Sequence, residues 1–170
     1  IVARVVGIQN ANTYSKPGVM IRETLTASSK HALMTILGGL KKPAFSYRTT
    51  TGGTTADAQT NAVNFPYWVK LVRQGNVFTG YVSANGTSWT AVGSPVTISM
   101  AQTVYVGLVV SANLDGGTFP LSTATIDNAN IAMVPVSVSL SPATASLTAG
   151  QTQQFTATVA NTGNTGVTWA

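Results

Sequence analysis

Short segments in which apolar and polar residues alternate recur along the whole chain, and turn residues separate them. Alternation with a period of two is typical of half-buried β-strands, and no segment has a convincing helical period. The pattern predicts nine strands before residue 133, at residues 2–7, 19–24, 31–37, 44–50, 68–74, 77–84, 88–92, 104–111 and 124–132. The sequence therefore predicts an all-β sandwich or barrel rather than a fold of βαβ units.

Two dipeptides mark hairpins between predicted strands. Gly75-Asn76 and Asn85-Gly86 each join alternating runs, and both dipeptides tolerate the positive φ that two-residue hairpin turns require. Residues 51–64 are polar and low in complexity, so they are expected to form a long loop. We expect an antiparallel sandwich of jelly-roll type over residues 1–133.

The sequence changes character after residue 133. Val134-Pro135 has the composition of a short linker, and a new alternation begins at Val136. An immunoglobulin-type sandwich needs about 100 residues, and residues 136–170 supply fewer than half of that number. We therefore expect an incomplete second domain whose apolar side chains lack partner strands.

The few charged residues are unevenly distributed. Only 8% of residues are charged, the formal net charge is +5, and cysteine is absent. All nine Lys and Arg residues lie between Arg4 and Arg73. A nucleic-acid-binding protein needs a dense stripe of such residues, which this spacing does not provide. No apolar run approaches the roughly 18 residues of a membrane span.

Five segments of the first domain carry a family likeness: residues 16–23, residues 67–73 with the following Gly75-Asn76, residues 83–90, residues 104–108 and residues 122–128. Together they resemble the concanavalin A-like lectin/glucanase superfamily, in particular the bacterial group related to laminin-G-like domains and to regulation of enolase protein 1. That family usually has further strands before the point where this chain begins, so the resemblance implies that N-terminal strands are missing. Residues 136–170 resemble the start of a group 2 bacterial immunoglobulin-like domain. The pairing implies a modular protein that is secreted or at the cell surface.

Catalysis is not expected, although some members of this superfamily are glycoside hydrolases. Hydrolysis of a glycosidic bond needs two nearby carboxylates, whereas Glu23 is the only glutamate and the three aspartates are distant in sequence. His31 is the only histidine, which makes zinc and nucleophilic catalysis improbable. We expect no cofactor. Calcium would have Asp115-Gly116-Gly117 and Asp127-Asn128 as candidate ligands, but turn and strand-end roles account for both.

The alternation also predicts which side chains face solvent. If the apolar residue at every second position points to the core, the residues between them point outward. Five such residues are candidates for ligand binding: Trp68, Lys70, Arg22, Arg48 and Arg4. A tryptophan ring can stack on a sugar, and cations can bind its oxygen atoms. The alternative is that these cations are split between two sheets and only keep the protein soluble.

These observations favour a non-catalytic carbohydrate-binding or adhesive module. Its expected partners are a polysaccharide, for which an acidic one fits the cations best, and the neighbouring modules of the parent chain. The alternatives are a purely structural spacer domain and, less favoured, a fragment of a glycoside hydrolase. Neither nucleic acid nor a membrane span is expected.

Overall fold

The computed structural model describes residues 1–9, 12–113, 121–133, 135–160 and 166–168. These residues contain strands but no helix, so none of them forms a helix that could cross a membrane. The strands are β1 (Val2–Gln9), β2 (Gly18–Arg22), β3 (His31–Leu37), β4 (Lys42–Arg48), β5 (Ala56–Gln59), β6 (Tyr67–Gln74), β7 (Val77–Ser83), β8 (Thr90–Ala91), β9 (Val96–Thr97), β10 (Tyr105–Val109), β11 (Thr123–Asn130), β12 (Ser137–Ser141) and β13 (Thr156–Ala160). The predicted all-β class is confirmed.

The chain divides into two units, Ile1–Ala132 and Met133–Ala170. The first unit is an antiparallel sandwich of two sheets. Its first sheet has the strand order β11-β1-β6-β7-β8, with β9 also paired to β7, and its second sheet has the order β10-β2-β3-β4-β5. The chain changes sheet after β1, β5, β9 and β10, whereas β2–β5 and β6–β9 are consecutive runs within one sheet.

The hairpin between β6 and β7 confirms the turn predicted at Gly75-Asn76. Trp68 pairs with Ser83 and Gln74 with Val77, so Gly75 and Asn76 form the two-residue turn. Gly75 has a φ of 57°, a conformation in which a side chain would be strained. This register determines which side chains of β6 and β7 lie beside each other on the outer surface.

The core lies between the two sheets and follows the alternation. Val69 and Leu71 of β6 are fully buried, as are Phe45 of β4 and Phe78 of β7. Burial of apolar surface is worth roughly 25 cal/mol per Å², so these large side chains supply much of the stability. All seven residues of β3, the central strand of the second sheet, are buried.

Three regions differ from the predicted pattern, and one of them is the two-residue strand β9, which was not predicted and pairs with β7. The expected loop at 51–64 contains the short strand β5, which pairs with β4 through Phe45 and Ala58. The strand was missed because it reads Ala-Asp-Ala-Gln, without a β-branched or aromatic residue. The expected two-residue turn at Asn85-Gly86 is a wider loop, because Tyr81 pairs with Ala91 and Val82 with Thr90.

The second unit contains one two-stranded antiparallel sheet. Val138 of β12 pairs with Val159 of β13, and Leu140 pairs with Ala157. None of the described residues in this unit is buried. A two-stranded sheet of this kind is marginally stable in water by itself. Trp169 lies outside the described residues.

Candidate functional site

One surface of the first sheet brings aromatic and cationic side chains together. Val69 and Leu71 point into the core, so Trp68 and Lys70 point to the opposite, outer face. The strand register places Tyr81 directly opposite Lys70. We call this surface the Lys70 face; it consists of Arg4, Trp68, Lys70, Tyr81 and Trp89.

Two aromatic rings hold the ammonium group of Lys70. Its Nζ lies 4.8 Å from the ring centroid of Tyr81 and 4.1 Å from that of Trp89. Both distances are within the range in which a ring quadrupole attracts a cation. The partial burial of Lys70 lowers its pKa, because removal of water disfavours the charged form. The described residues offer Lys70 no hydrogen-bond acceptor or carboxylate partner.

Side-chain hydrogen bonds shape the loop that brings Trp89 to this position. The Ser83 hydroxyl accepts hydrogen bonds from the backbone N–H groups of Asn85 and Gly86, at 3.2 Å and 2.9 Å. The side-chain oxygen Oδ1 of Asn85 accepts hydrogen bonds from the backbone N–H groups of Thr87 and Ser88, both at 2.9 Å. Such bonds satisfy backbone donors that have no partner in a ladder. They give the irregular segment before β8 a defined path.

The same loop covers part of Trp68. A Cβ added to Gly86 would lie 2.8 Å from Cε2 of the Trp68 ring, and Gly86 has a φ of 77°. The guanidinium carbon of Arg4 lies 5.9 Å from the ring centroid of Trp68. Trp68 is therefore half-buried between the loop and Arg4. Its ring points outward, as alternation predicts, but only part of it is open to a ligand.

Arg4 is neutralised by a carboxylate on the neighbouring strand. Its Nε and Nη2 donate to the two oxygens of Asp127 at 2.8 Å and 2.6 Å. This forked pair raises the pKa of Arg4 and lowers the pKa of Asp127, because each charge stabilises the other. Among the described groups, the positive charge at Lys70 is not balanced.

The structure places the other two predicted cations on the second sheet, away from the Lys70 face. Arg22 and Arg48 flank His31 across three neighbouring strands. Arg22 donates to the carbonyl oxygens of residues 24 and 26, and Arg48 to those of residues 27 and 29. The five predicted site residues thus divide into a group of three and a group of two. The two arginines of the second sheet hold the loop at 24–29.

His31 is buried between these arginines, and its surroundings lower its pKa. Desolvation lowers its pKa, and the charges of Arg48 and Arg22 lower it further, although a contact with the carbonyl oxygen of Ser29 opposes the shift. The imidazole is therefore neutral near pH 7. This environment is a structural one, with no nucleophile or carboxylate bonded to the ring in the described residues.

The described carboxylates all have protein partners. Glu23 binds Lys30 at 2.8 Å and accepts a hydrogen bond from the N–H group of Ala101 at 2.9 Å. Asp57 accepts a hydrogen bond from Gln59 at 2.7 Å. No group of three metal-binding side chains occurs among the described residues. Of the calcium candidates, Asp127 is bonded to Arg4 and Asn128, and Asp115-Gly116-Gly117 lies outside the described residues.

Tyr81 and Trp89 belong to the site but were not predicted from the sequence as members of it. Tyr81 could have been found, because a two-residue turn at residues 75 and 76 places it opposite Lys70. Trp89 could not, because it follows an irregular loop whose path depends on side-chain hydrogen bonds.

Comparison with known proteins assigns the chain to no family. No protein-family model matches it, and no curated protein matches it significantly. The class is therefore defined by the structure alone: an antiparallel β-sandwich with an aromatic and cationic outer face. The resemblance to the concanavalin A-like superfamily and to a bacterial immunoglobulin-like domain stays a prediction from the sequence.

Proposed function

We propose that the sandwich is a non-catalytic carbohydrate-binding module and that the Lys70 face is its ligand surface. The observation that carries the proposal is the position of Lys70, whose ammonium group lies between the rings of Tyr81 and Trp89 without a protein anion among the described residues. The faces of aromatic rings can pack on the apolar C–H face of a sugar ring, while the O–H of Tyr and the N–H of Trp can hydrogen-bond to its hydroxyl groups. The N–H groups of Lys70 can donate to its oxygens.

The Lys70 face argues against a purely structural spacer domain. A spacer needs a smooth, soluble surface, and the Thr and Ser side chains of this chain could provide one. Instead, three aromatic residues, Trp68, Tyr81 and Trp89, share one outer face with two cations. Trp, Tyr and Arg, which make up four of the five residues of this face, are enriched where proteins bind partners.

The state of the carboxylates supports a binding role over glycoside hydrolysis. A glycosidase needs one carboxyl group with a raised pKa, which donates a proton, and a second, ionised one. The pKa of Glu23 is lowered by its hydrogen bond to Lys30, and that of Asp127 by its hydrogen bonds to Arg4. Both groups are ionised at neutral pH and bonded within the protein, so neither suits the role of general acid.

In this proposal the module belongs to a secreted or surface protein and binds a polysaccharide outside the cell. The second unit and other modules of the parent chain would be its neighbours. This setting rests on the resemblances stated for the sequence, and the binding role rests on the Lys70 face.

A glycan-array screen of the 170-residue chain tests the proposal. Glycans that bind are then measured by calorimetry with Trp89→Ala, for which we expect about a tenfold loss of affinity, equivalent to 1.4 kcal/mol. Tyr105→Ala is the matched control, since Tyr105 is an aromatic residue, 53% exposed, on the second sheet. The proposal fails if the folded protein binds no glycan, or if Trp89→Ala binds as tightly as Tyr105→Ala.

A further inference from the structure

We infer that the Lys70 face selects an acidic glycan, with one anionic group bound at Lys70, and that Asp127 limits the face to that single anion site by occupying Arg4. The inference rests on the proposed function and specifies its ligand class. The shared chemistry is an anionic oxygen, carried by either a uronate carboxylate or a sulfate ester.

Lys70 differs from the other eight cations of the sandwich in its surroundings. Six of them donate hydrogen bonds to protein oxygen atoms: Arg4, Lys16, Arg22, Lys30, Arg48 and Arg73. The remaining two, Lys41 and Lys42, are exposed to solvent and contact no aromatic ring among the described residues. Lys70 instead contacts two ring faces, which attract the charge but accept no conventional hydrogen bond. Its N–H groups are therefore available to a ligand, within the part of the chain that the structure describes.

The position of Lys70 makes its charged form less stable than it would be in water. Lys70 is partly removed from water, and burial lowers its pKa. A ligand anion would offset that cost, because an opposite charge nearby stabilises the ammonium form. A neutral sugar could replace only the hydrogen bonds of the displaced water. The site should therefore discriminate by charge.

Arg4, the other cation of the face, is neutralised by Asp127. Two of its five N–H donors, on Nε and Nη2, bind the carboxylate at 2.8 Å and 2.6 Å. Because this bidentate pair cancels the guanidinium charge, a ligand anion at the remaining N–H groups would gain little electrostatic attraction and would be repelled by the carboxylate. Removal of the Asp127 charge would free Arg4 beside Trp68 and create a second anion site. Asp127 is thus proposed as a specificity-determining residue that does not itself bind the ligand.

Two matched pairs of probes test the inference by calorimetry at two salt concentrations. The first is an oligogalacturonate with its methyl-esterified form, and the second is a sulfated carrageenan oligosaccharide with its desulfated form. We expect one acidic member to bind at least tenfold more tightly than its neutral partner, and the pair that shows the difference identifies carboxylate or sulfate. Higher salt should weaken that binding.

Three variants separate the roles of the residues. Lys70→Gln should abolish the preference for the acidic probe. Lys42→Gln, which removes the same charge from an exposed position on the second sheet, should keep it. Asp127→Asn should tighten binding of the acidic probe several-fold, steepen its salt dependence and leave neutral binding unchanged.

The outcomes distinguish this inference from the proposed function. Equal binding of acidic and neutral probes, or equal losses in Lys70→Gln and Lys42→Gln, would overturn the anion site but not glycan binding. An Asp127→Asn protein without any gain would overturn the limiting role of Asp127. Absence of binding to all four probes and to every array glycan would overturn both proposals.

Discussion

Replacement of Gly80 by alanine is expected to destabilise the sandwich, because an added methyl group would collide with side chains of the opposite sheet. Gly80 is on the inner face of β7. An added Cβ would lie 2.8 Å from Sδ of Met34 and 2.9 Å from two ring atoms of Phe45. Met34 belongs to β3 and Phe45 to β4, and both are fully buried. The substitution therefore forces a methyl group between the two layers.

The magnitude follows from how far each neighbour can move. The thioether of Met34 is flexible and can shift at small cost, whereas the ring of Phe45 is packed on all sides. Overpacking of a core usually costs about 1–3 kcal/mol. Alanine recovers up to about 1 kcal/mol, because it restricts the unfolded chain more than glycine does. We expect a net loss of about 1–2 kcal/mol in the free energy of unfolding.

Urea denaturation followed by tryptophan fluorescence measures this loss as a shift of the midpoint at constant slope. Gly107→Ala is the matched control, because Gly107 also lies in a strand but has no neighbouring atom within 4 Å of an added Cβ. We expect that variant to be as stable as the parent or slightly more stable. In a protein that already carries Phe45→Val, Gly80→Ala should lower the free energy of unfolding by less than it does in the parent protein. A Gly80→Ala protein as stable as Gly107→Ala would refute the packing of β7 against β3 and β4.

Three further predictions concern charged and titratable groups in or next to strands β2, β3 and β4 of the second sheet. The free energy of unfolding should fall as pH falls below about 6.5, because His31 has a lowered pKa when folded and the unfolded chain then binds more protons; His31→Gln should remove this dependence in denaturation at pH 5.5 and 7.5. Glu23→Gln should lower the free energy of unfolding by up to about 1 kcal/mol, because the ion pair with Lys30 is lost. Neither the parent protein nor this variant should release reducing sugars from any polysaccharide. Arg48→Gln should speed amide hydrogen exchange in the loop at 24–29, measured by mass spectrometry, because the carbonyl oxygens of that loop lose their donor.

Each of these predictions has an outcome that would contradict it. A pH dependence that persists in the His31 variant would assign the titration to another group. Polysaccharide hydrolysis that disappears in the Glu23 variant would restore a glycosidase interpretation. Unchanged exchange in the 24–29 loop would show that Arg48 does not hold it.

The sequence determined the local parts of this fold more clearly than its long-range parts. The β6–β7 hairpin could be predicted residue by residue, because a two-residue turn at Gly75-Asn76 leaves only one register. The short strand β5 could not, because Ala56–Gln59 has no strand-forming residue and depends on pairing with β4. The loop after Ser83 also differs from its prediction, since side-chain hydrogen bonds rather than a hairpin turn define it.

The candidate site shows the same limit. Alternation correctly predicted that Val69 and Leu71 are buried, and therefore that Lys70 points outward. It could not determine which sheet each strand joins, and so could not separate Lys70 from Arg22 and Arg48. Strand order is set by contacts between residues distant in sequence, which no local pattern records. The partner Asp127, far from Arg4 along the chain, was hidden for the same reason.

The central claim is that a glycan binds at the Lys70 face, and the indole N–H signals of the tryptophans test it most directly. In ¹H–¹⁵N spectra, the tightest glycan from the array is titrated into the labelled protein. We predict that the Trp89 and Trp68 signals shift with a common dissociation constant, and that Lys70→Gln weakens the response. Saturation with glycan that leaves the Trp89 and Trp68 signals in place would contradict the account.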